Sequence, residues 1–349
     1  MNASTMQATS GKVAVVGSPN AKLEFKTIEF SQPKGKNVLL KIEACGVCHS
    51  DSFAMTGQFP GIKYPVIPGH EIAATVVEVG PDAKRIKKGD RVGVGWSAGH
   101  CGHCIACRSG DFVCCKEMSV PGITCDGGYG QYAMFNENGC AIIPEGLDSA
   151  EAGPLMCAGV TTFNSLRNSH AKPSDVVAIL GLGGLGHLGV QFANKMGFHT
   201  VGIARGAEKA DFAKKLGAHT YIDSEKQDVA AELQKLGGAK VVLATVTSTK
   251  AMTPAIGGLA IGGQLLIVGA GMEPLDFPPV ALLGSRLTIS GWPSGTAKDS
   301  EDCLRFAALT GIRPMIERFP FSKTAEAYER MMSGKARFRA VIDFRMDEK

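Results

Sequence analysis

Four closely spaced cysteines are the first group in this 349-residue chain whose residue types and spacing indicate chemistry. They are Cys101, Cys104, Cys107 and Cys115. Thiolates at this spacing are typical of tetrahedral zinc sites, in which the metal holds together a loop with little core of its own. A disulfide cluster is the alternative, although reduced thiols with CxxC spacing are more often metal ligands. Because four thiolates leave no position for a substrate, the segment predicts a structural zinc, and any catalysis must take place elsewhere.

A glycine pattern, Gly181-Leu-Gly183-Gly184-Leu-Gly186, follows an apolar run at 176–180 and precedes a predicted helix. Between a strand and a helix, this pattern is a strong signature of dinucleotide binding. Gly181 permits a tight turn, Gly183 lets the backbone approach the pyrophosphate, and Gly186 lets the helix pack closely on the strand. The helix N-terminus then offers free N–H groups to the phosphates. A glycine-rich turn with a purely structural role is the alternative.

The end of the next strand indicates which dinucleotide is bound. Sites selective for NAD usually place an acidic residue about 20 residues further on, where it binds the ribose 2′-hydroxyl. Here Ala204 occupies that position, Arg205 follows it, and Lys209 is nearby. Cations can pair with a 2′-phosphate, so the sequence favours NADP(H). A solvated Arg205 that tolerates both cofactors would leave NAD(H) possible.

A second, open metal site requires ligands from other parts of the chain. Cys48, His70 and Cys157 are candidates, and together they would give a Cys₂His site with a free fourth position. Spacing alone leaves this assignment open, because single cysteines and histidines are more often ordinary core residues.

The apolar pattern predicts which elements must position these residues. Short alternating runs predict strands of a β-rich domain at 13–17, 37–43, 71–80 and 89–95, with another strand pair between 127 and 144. A helix is predicted at 149–168, with Ser149 as its N-cap. Unalternated apolar runs predict buried parallel strands at 176–180, 200–203, 241–244, 265–268 and 287–290. Helices are predicted at 208–216, 227–236, 299–309 and 323–333, and a last strand at 339–344. We therefore expect a doubly wound α/β domain over 156–290 and a discontinuous domain over 1–155 and 291–349.

Composition limits the classes of function. A net charge of +4 is too small and too dispersed to indicate nucleic acid or a membrane surface as a partner. No apolar run approaches the ~20 residues of a membrane helix, and residues 1–12 resemble neither a signal nor a transit peptide. Eleven cysteines in such a chain favour a cytoplasmic location.

Taken in this order, the candidate open site, the four-cysteine segment and the glycine pattern resemble the zinc-dependent medium-chain alcohol dehydrogenases, over about residues 10–345. The resemblance implies a β-rich GroES-like catalytic domain, a Rossmann domain and two Zn²⁺ per subunit. Cys48, His70 and Cys157 would bind the catalytic zinc, and the four clustered cysteines would bind the structural zinc.

Further roles are implied by the same motifs. Asp51 would hydrogen-bond His70, Glu71 would lie behind the metal, and Ser50 would lie next to the substrate oxygen. The remaining implied residues are Thr161 and Val268 beside the nicotinamide, Arg339 at the pyrophosphate, and Phe59 and Trp96 in the alcohol pocket. Phe53 departs from the family, which often has a histidine there that passes the proton to solvent.

The implied activity is reversible oxidation of primary and, by extension, secondary alcohols to aldehydes or ketones. An NADPH-dependent cinnamyl-type aldehyde reductase is the alternative enzyme. A nucleotide sensor or crystallin-like structural protein that has lost catalysis is the third interpretation, which the intact ligand set argues against. The family also implies a homodimer or homotetramer, joined through an edge at about 265–291.

Overall fold

The computed structural model describes residues 8–269 and 271–347, so most of the segment at 1–12 that the sequence analysis considers lies outside the described residues. The strands are β1 (Thr9–Val16), β2 (Leu23–Phe30), β3 (Asn37–Val47), β4 (Glu71–Val79), β5 (Arg91–Val94), β6 (Tyr132–Asn136), β7 (Cys140–Ile142), β8 (Val176–Leu180), β9 (His199–Ala204), β10 (Thr220–Asp223), β11 (Ala239–Ala244), β12 (Leu259–Ile267), β13 (Thr288–Gly291), β14 (Ile316–Phe319) and β15 (Arg339–Asp343).

The α-helices are α1 (Ser52–Thr56), α2 (Ile105–Arg108), α3 (Ser149–Pro154), α4 (Val160–Arg167), α5 (Gly186–Lys195), α6 (Ala210–Leu216), α7 (Val229–Lys235), α8 (Thr249–Ile256), α9 (Val280–Ser285), α10 (Ala297–Thr310) and α11 (Thr324–Met332). A π-helical turn, Leu155–Gly159, joins α3 to α4. Short 3₁₀ helices occur at His49–Asp51, Phe112–Cys114, Glu137–Gly139, Ala207–Lys209, Phe321–Lys323 and Phe344–Met346.

The first of two units consists of Met1–Cys157, Gly295–Leu309 and Pro314–Lys349. Its main sheet has the order β14-β15-β3-β4-β5-β7, with β6 also paired to β3, and β1 and β2 form a separate hairpin. Apolar side chains of β3, β4 and β5 are buried in one core. The C-terminal strand β15 pairs with β3, which is why the unit is discontinuous in sequence.

The second unit consists of Ala158–Ser294 and Thr310–Arg313. Its six strands are all parallel, in the order β10-β9-β8-β11-β12-β13. The residues of the central strands β8, β9 and β11 are almost all buried, as expected for a sheet covered on both faces, whereas those of the edge strand β13 are partly exposed. The fold-class prediction is confirmed. The predicted borders after 155 and 290 lie a few residues before those of the two units.

The predicted helix at 149–168 differs in detail from the structure. The π-helical turn interrupts it, and Asp148 rather than Ser149 is the N-cap, because the Asp148 side chain accepts a hydrogen bond from the Ala150 N–H. The strands β2, β10 and β14 and the helices α1, α2, α8 and α9 were not predicted. β2 has mostly exposed side chains, and α8 contains Pro254. Across residues 8–269 and 271–347, none of the helices has the length and apolar character that a bilayer crossing requires.

Candidate active site

Three separate elements of the first unit bring the predicted catalytic ligands together. Cys48 directly follows β3, His70 directly precedes β4, and Cys157 lies in the π-helical turn. The antiparallel pairing of β3 with β4 places Gly46 opposite Glu71, so the end of β3 and the start of β4 lie at the same end of the sheet. The ligand atoms of Cys48, His70, Cys157 and Glu71 all lie within 4.8 Å of one another.

The orientation of His70 leaves one ring nitrogen available to a metal. Its Nδ1 lies 2.8 Å from Oδ1 of Asp51. Its Nε2 is buried and has no hydrogen-bond partner among the described residues. Leaving a buried polar atom unpaired costs about 1 to 3 kcal/mol. A cation bound between Nε2 and the two sulfurs would remove this cost, and one imidazole with two thiolates is a donor set that suits zinc. The residues therefore fit the metal that the sequence predicts.

The thiols of Cys48 and Cys157 are in contact, since their sulfur atoms lie 3.9 Å apart. The hydrogen bond from Cys157 lowers the pKa of Cys48 well below its usual value, and His70 acts in the same direction. The same hydrogen bond raises the pKa of Cys157. Burial disfavours a charged His70, but Asp51 and Cys48 outweigh it and raise the pKa of His70. The cluster thus favours a thiolate at Cys48 even without a metal.

Two further predicted residues form an ion pair in the same cluster. Arg339, the first residue of β15, donates from Nη2 to Oε1 of Glu71 and more weakly to the Val47 carbonyl at 3.4 Å. The sequence prediction assigns Arg339 to the pyrophosphate, and the structure shows its contact with Glu71. Ser50 lies in the 3₁₀ helix beside Asp51 and is half-buried.

Aromatic rings pack beside the metal ligands. The Trp96 ring meets the His70 ring edge-on, with centroids 5.0 Å apart. The ring centroids of Phe59 and Trp96 lie 6.4 Å apart, and those of Phe53 and Phe59 lie 5.7 Å apart. The two predicted pocket residues are therefore neighbours, and Phe53 extends the same aromatic row.

The four-cysteine segment forms a second cluster in the same unit. The sulfur of Cys115 lies 3.6 Å from that of Cys101 and 3.9 Å from that of Cys104, and Cys107 lies 3.9 Å from Cys101. A disulfide would require about 2.05 Å, so the four are separate thiols. Backbone N–H groups donate to these sulfurs, and such bonds lower the pKa of Cys104 to about 6. Cys114 is exposed and lies outside the cluster.

The glycine pattern forms the turn between β8 and α5 in the second unit. Gly181 has φ +97°, and a Cβ on Gly186 would lie 1.8 Å from the Gly181 carbonyl oxygen, so both positions require glycine. A Cβ on Gly183 would meet nothing within 4 Å, which leaves open space above the turn. Because β8 is where the strand order reverses, this is the position where such sheets bind dinucleotides. Gly184 lies in the same turn, Thr161 is buried in α4, and Val268 directly follows β12.

The segment after β9 contains the cations that the sequence analysis assigns to the 2′-phosphate on the ribose of NADP(H). Arg205 is exposed, and the Lys209 ammonium donates to the Arg205 carbonyl at 2.7 Å. Asp223, which sequence analysis missed, accepts the Gly206 N–H at 2.9 Å through Oδ1, while its buried Oδ2 has no partner among the described residues. Asp223 ends the adjacent strand β10, so only the strand order could have identified it.

Sequence analysis also missed Tyr129, whose hydroxyl donates to Asp51 at 2.8 Å. The signal was present in Gly127-Gly-Tyr129-Gly130, a run of glycines around one buried aromatic residue.

Comparisons with known proteins agree with this arrangement. The alcohol dehydrogenase GroES-like domain family matches residues 34–145, and the zinc-binding dehydrogenase family matches residues 184–309. The alcohol dehydrogenase patD of Penicillium expansum is 44% identical over 340 residues, which cover 97% of this chain and 99% of that protein. An alcohol dehydrogenase of Geobacillus stearothermophilus is 39% identical over 96% of this chain and 100% of its own length.

Among solved structures, a cinnamyl alcohol dehydrogenase of Sorghum bicolor is similar with a TM-score of 0.86 and 29% identity, over 96% of this chain and 98% of that one. The predicted family is confirmed: the chain belongs to the zinc-dependent medium-chain alcohol dehydrogenases, whose activity requires zinc and a nicotinamide cofactor.

Proposed function

We propose that this protein interconverts alcohols with aldehydes or ketones, using a catalytic zinc held by Cys48, His70 and Cys157. One observation carries the proposal. The buried Nε2 of His70 has no hydrogen-bond partner among the described residues, and a ring nitrogen of His70 lies within 4.8 Å of two thiol sulfurs, of which Cys48 has a lowered pKa. Small-molecule alcohols and aldehydes are accordingly the substrates of this alcohol dehydrogenase.

Zinc bound there supplies Lewis-acid chemistry, which stabilises negative charge on the substrate oxygen at neutral pH. The chain's own groups supply the rest. Asp51 fixes His70 through Nδ1, and the Ser50 hydroxyl accepts the proton of the alcohol at Oγ. Because Phe53 has no titratable group, we propose that Ser50 passes this proton to water rather than to an imidazole. Thr161 and Val268 would flank a bound nicotinamide, which would supply the acceptor for the hydride from the alcohol carbon.

We assign a second zinc to Cys101, Cys104, Cys107 and Cys115. Four thiols whose sulfur atoms all lie within 4.8 Å of one another suit a closed tetrahedral site, and their segment has only a four-residue α-helix and a three-residue 3₁₀ helix. This zinc stabilises the fold and takes no part in the reaction.

For the cofactor, we propose a preference for NADP(H) over NAD(H). Ala204 ends β9 without a carboxylate, and Arg205 beside it is exposed. Glu208 and Asp223 lie in the same region, and the pairing of Lys209 with Glu208 at 3.8 Å leaves Arg205 as the main cation for a 2′-phosphate. Arg205→Ala is expected to lower kcat/KM for NADPH about tenfold to a hundredfold, the value of one charge-assisted hydrogen bond, and to change that for NADH little. A wild-type preference for NADH would refute the assignment.

A cinnamyl-type aldehyde reductase is the second candidate, and the aromatic row favours it. Phe53, Phe59 and Trp96 lie beside His70 and would suit a flat aromatic substrate. Comparing kcat/KM for benzylic and short aliphatic alcohols distinguishes the two candidates. The third interpretation, a nucleotide sensor that has lost catalysis, is not favoured, because such a protein has no need of the complete set of Cys48, His70 and Cys157.

We further propose a cytoplasmic homodimer or homotetramer that assembles through the β13 edge of the parallel sheet. β13 has a neighbour on one side within the described residues. Close to it in sequence, Met272, Val280 and Leu283 expose between 69% and 98% of their surface. Exposed apolar side chains next to a strand edge mark an interface. Sedimentation of the wild type and of Leu283→Lys tests this assignment, which a monomeric wild type would refute.

The central test replaces one catalytic ligand. Cys48→Ala should lower kcat/KM by more than about a hundredfold, since changes in groups that merely support metal ligands already cost 10- to 100-fold. It should also lower bound zinc by one ion per subunit while dinucleotide binding persists. Cys140→Ala is the matched control, because Cys140 is a buried thiol of the same unit outside both clusters. Near-wild-type activity of Cys48→Ala would refute the proposal.

A further inference from the structure

The segment Gly127–Gly130 has no part in the reaction as described so far, yet it touches the metal site. Tyr129 is completely buried, and its hydroxyl donates to Oδ2 of Asp51 at 2.8 Å. We propose that Tyr129 is a positioning residue for the catalytic metal: it fixes the Asp51 carboxylate, which in turn orients His70. This inference rests on the proposed assignment of zinc to Cys48, His70 and Cys157.

The hydrogen bonds of Asp51 give Tyr129 a defined role. Oδ1 faces Nδ1 of His70 at 2.8 Å. Oδ2 accepts the Cys48 backbone N–H at 2.8 Å as well as the Tyr129 hydroxyl. Asp51 therefore connects two of the three proposed zinc ligands: it contacts the backbone N–H of Cys48 and the ring of His70. The phenol is the side-chain donor that holds this carboxylate on the side away from His70.

Backbone contacts fix the phenol relative to the segment that carries His70. The N–H groups of Gly127, Gly128 and Tyr129 donate to the carbonyls of Ile67, Gly69 and Pro68 at 2.7, 2.9 and 2.9 Å. These three bonds join the two segments along their length. The backbone of Tyr129 is thus held against the residues that directly precede His70.

Glycines permit this close contact. A Cβ on Gly127 would lie 2.3 Å from the Gly69 carbonyl oxygen, and a Cβ on Gly69 would lie 2.4 Å from the Tyr129 ring. Gly69 also has φ +100°, which other residues rarely adopt. Gly127 and Gly69 therefore let the segment of Tyr129 pack closely on the segment that precedes His70, where the phenol reaches Asp51.

The expected consequence of losing the hydroxyl follows from these contacts. In Tyr129→Phe, Oδ2 of Asp51 would retain the Cys48 N–H alone, and the carboxylate could turn about its side-chain bond. His70 would then hold the metal less firmly. Removing groups that support metal ligands typically costs 10- to 100-fold in metal affinity or activity. We expect about tenfold faster release of the catalytic metal and a kcat lowered about tenfold, with an unchanged KM for the dinucleotide.

The experiment compares Tyr129→Phe with wild type in the full-length holoenzyme. Zinc release to a chelator is followed directly, and Co²⁺ exchanged into the catalytic site reports ligand geometry through its visible spectrum. Tyr132→Phe is the matched control, because Tyr132 lies three residues further on, is half-buried and packs on Phe30. Faster release and an altered Co²⁺ spectrum in Tyr129→Phe, with neither in Tyr132→Phe, support the proposal. Wild-type release and an unchanged spectrum in Tyr129→Phe overturn it.

A double-mutant cycle shows whether Tyr129 acts through Asp51. In an Asp51→Asn background, adding Tyr129→Phe should change metal release no further, whereas full additivity contradicts the proposed route. Should Tyr129→Phe not fold, tyrosine labelled at its ζ carbon allows a measurement on the unsubstituted side chain, since the chain has five tyrosines. A Tyr129 hydroxyl proton that exchanges slowly and responds to Asp51→Asn supports the proposal, and one that exchanges rapidly overturns it.

Failure of the underlying assignment has a different result. If wild-type protein releases the same amount of zinc as Cys48→Ala, the catalytic zinc is not at these residues, and the proposed function fails with it. If Cys48→Ala loses one zinc ion while Tyr129→Phe releases zinc as the wild type does, the catalytic assignment stands and the proposed role of Tyr129 fails.

Discussion

Arg339 donates a hydrogen bond to Glu71 in a position where both side chains are almost completely buried, with exposed fractions of 6% and 0%. Burial raises the pKa of Glu71 to about 8, and the charge of Arg339 opposes that rise. The other carboxylate oxygen, Oε2, has no partner among the described residues. The pair therefore lies buried in the same cluster as Cys48 and His70, whose ligand atoms are within 4.8 Å of a Glu71 carboxylate oxygen.

Removing one member of this pair should cost more than removing both. Arg339→Met leaves the buried carboxyl of Glu71 without its counter-charge, and breaking a buried pair in this way costs about 3 to 5 kcal/mol. In the double variant Arg339→Met/Glu71→Met, neither partner is left buried without the other, so much of that loss should be recovered. Chemical unfolding of the wild type, both single variants and the double variant measures the coupling. Additive losses would show that the two side chains do not act as a pair.

Two glycines of the nucleotide turn should respond differently to alanine. Gly186→Ala places a methyl group on the Gly181 carbonyl and is expected to destabilise the protein by about 3 kcal/mol or more. Gly183→Ala enters open space, so the free energy of unfolding should change by less than about 0.5 kcal/mol.

Gly183→Ala should nevertheless weaken dinucleotide binding about tenfold, because its methyl group occupies the space where the pyrophosphate approaches the backbone. Thermal unfolding and calorimetric titration separate the two effects. Unchanged dinucleotide affinity in Gly183→Ala would mean that the phosphates lie elsewhere.

Features set by neighbouring residues could be predicted from the sequence. The turn between β8 and α5 needs glycine at Gly181 and Gly186 for reasons of local backbone geometry, and buried parallel strands produce continuous apolar runs. Because such apolar runs are visible in the sequence, most parallel strands of the second unit were predicted. The capping residue was missed by one position, since both Asp148 and Ser149 can cap a helix and only the structure shows which side chain accepts the Ala150 N–H.

Features set by pairing across the chain could not be predicted from residue patterns. The approach of Cys48 to His70 depends on the register of β3 against β4, and that of Cys157 depends on the π-helical turn. Resemblance to a family supplied these ligands, whereas local spacing left them open. Tyr129 and Asp223 were missed for the same reason, because each lies on a segment distant in sequence from the residues that it contacts.

Loss of one ligand of the four-cysteine cluster should affect stability more than catalysis. Cys104→Ser removes one of four thiols, and structural zinc contributes on the order of 10 kcal/mol in small zinc-binding domains. We expect the variant to lose one of two zinc ions and to unfold at a lower temperature, while the remaining folded protein keeps its KM for alcohol. Cys114→Ser is the control, since Cys114 is adjacent to Cys115 but exposed and outside the cluster. Two zinc ions per subunit in Cys104→Ser would contradict the assignment.

The ion pairs at the start of α3 should make the free energy of unfolding depend on pH in the acidic range. Asp148 accepts hydrogen bonds from Arg345 at 2.9 and 3.1 Å and from Arg318 at 2.9 Å. The Arg345 hydrogen bonds lower the pKa of Asp148 below its ordinary 3.8. A carboxylate with a lowered pKa stabilises the folded state above its unfolded pKa, and this contribution is lost as the pH falls through the folded pKa.

Asp148→Asn removes this charge while keeping an N-cap, because asparagine caps helices about as well as aspartate. The variant should be less stable than wild type by at most about 1 kcal/mol at pH 7, since the carboxylate is one-third exposed and solvent screens its ion pairs. The difference should shrink as the pH falls below 3.8, where wild-type Asp148 also becomes neutral. Zinc loss in acid affects both proteins alike, so the difference in unfolding free energy between them is the quantity to follow. Glu326→Gln, which breaks an exposed pair with Lys323, should show no such trend, and a difference that stays constant with pH in Asp148→Asn would contradict the role of the charge.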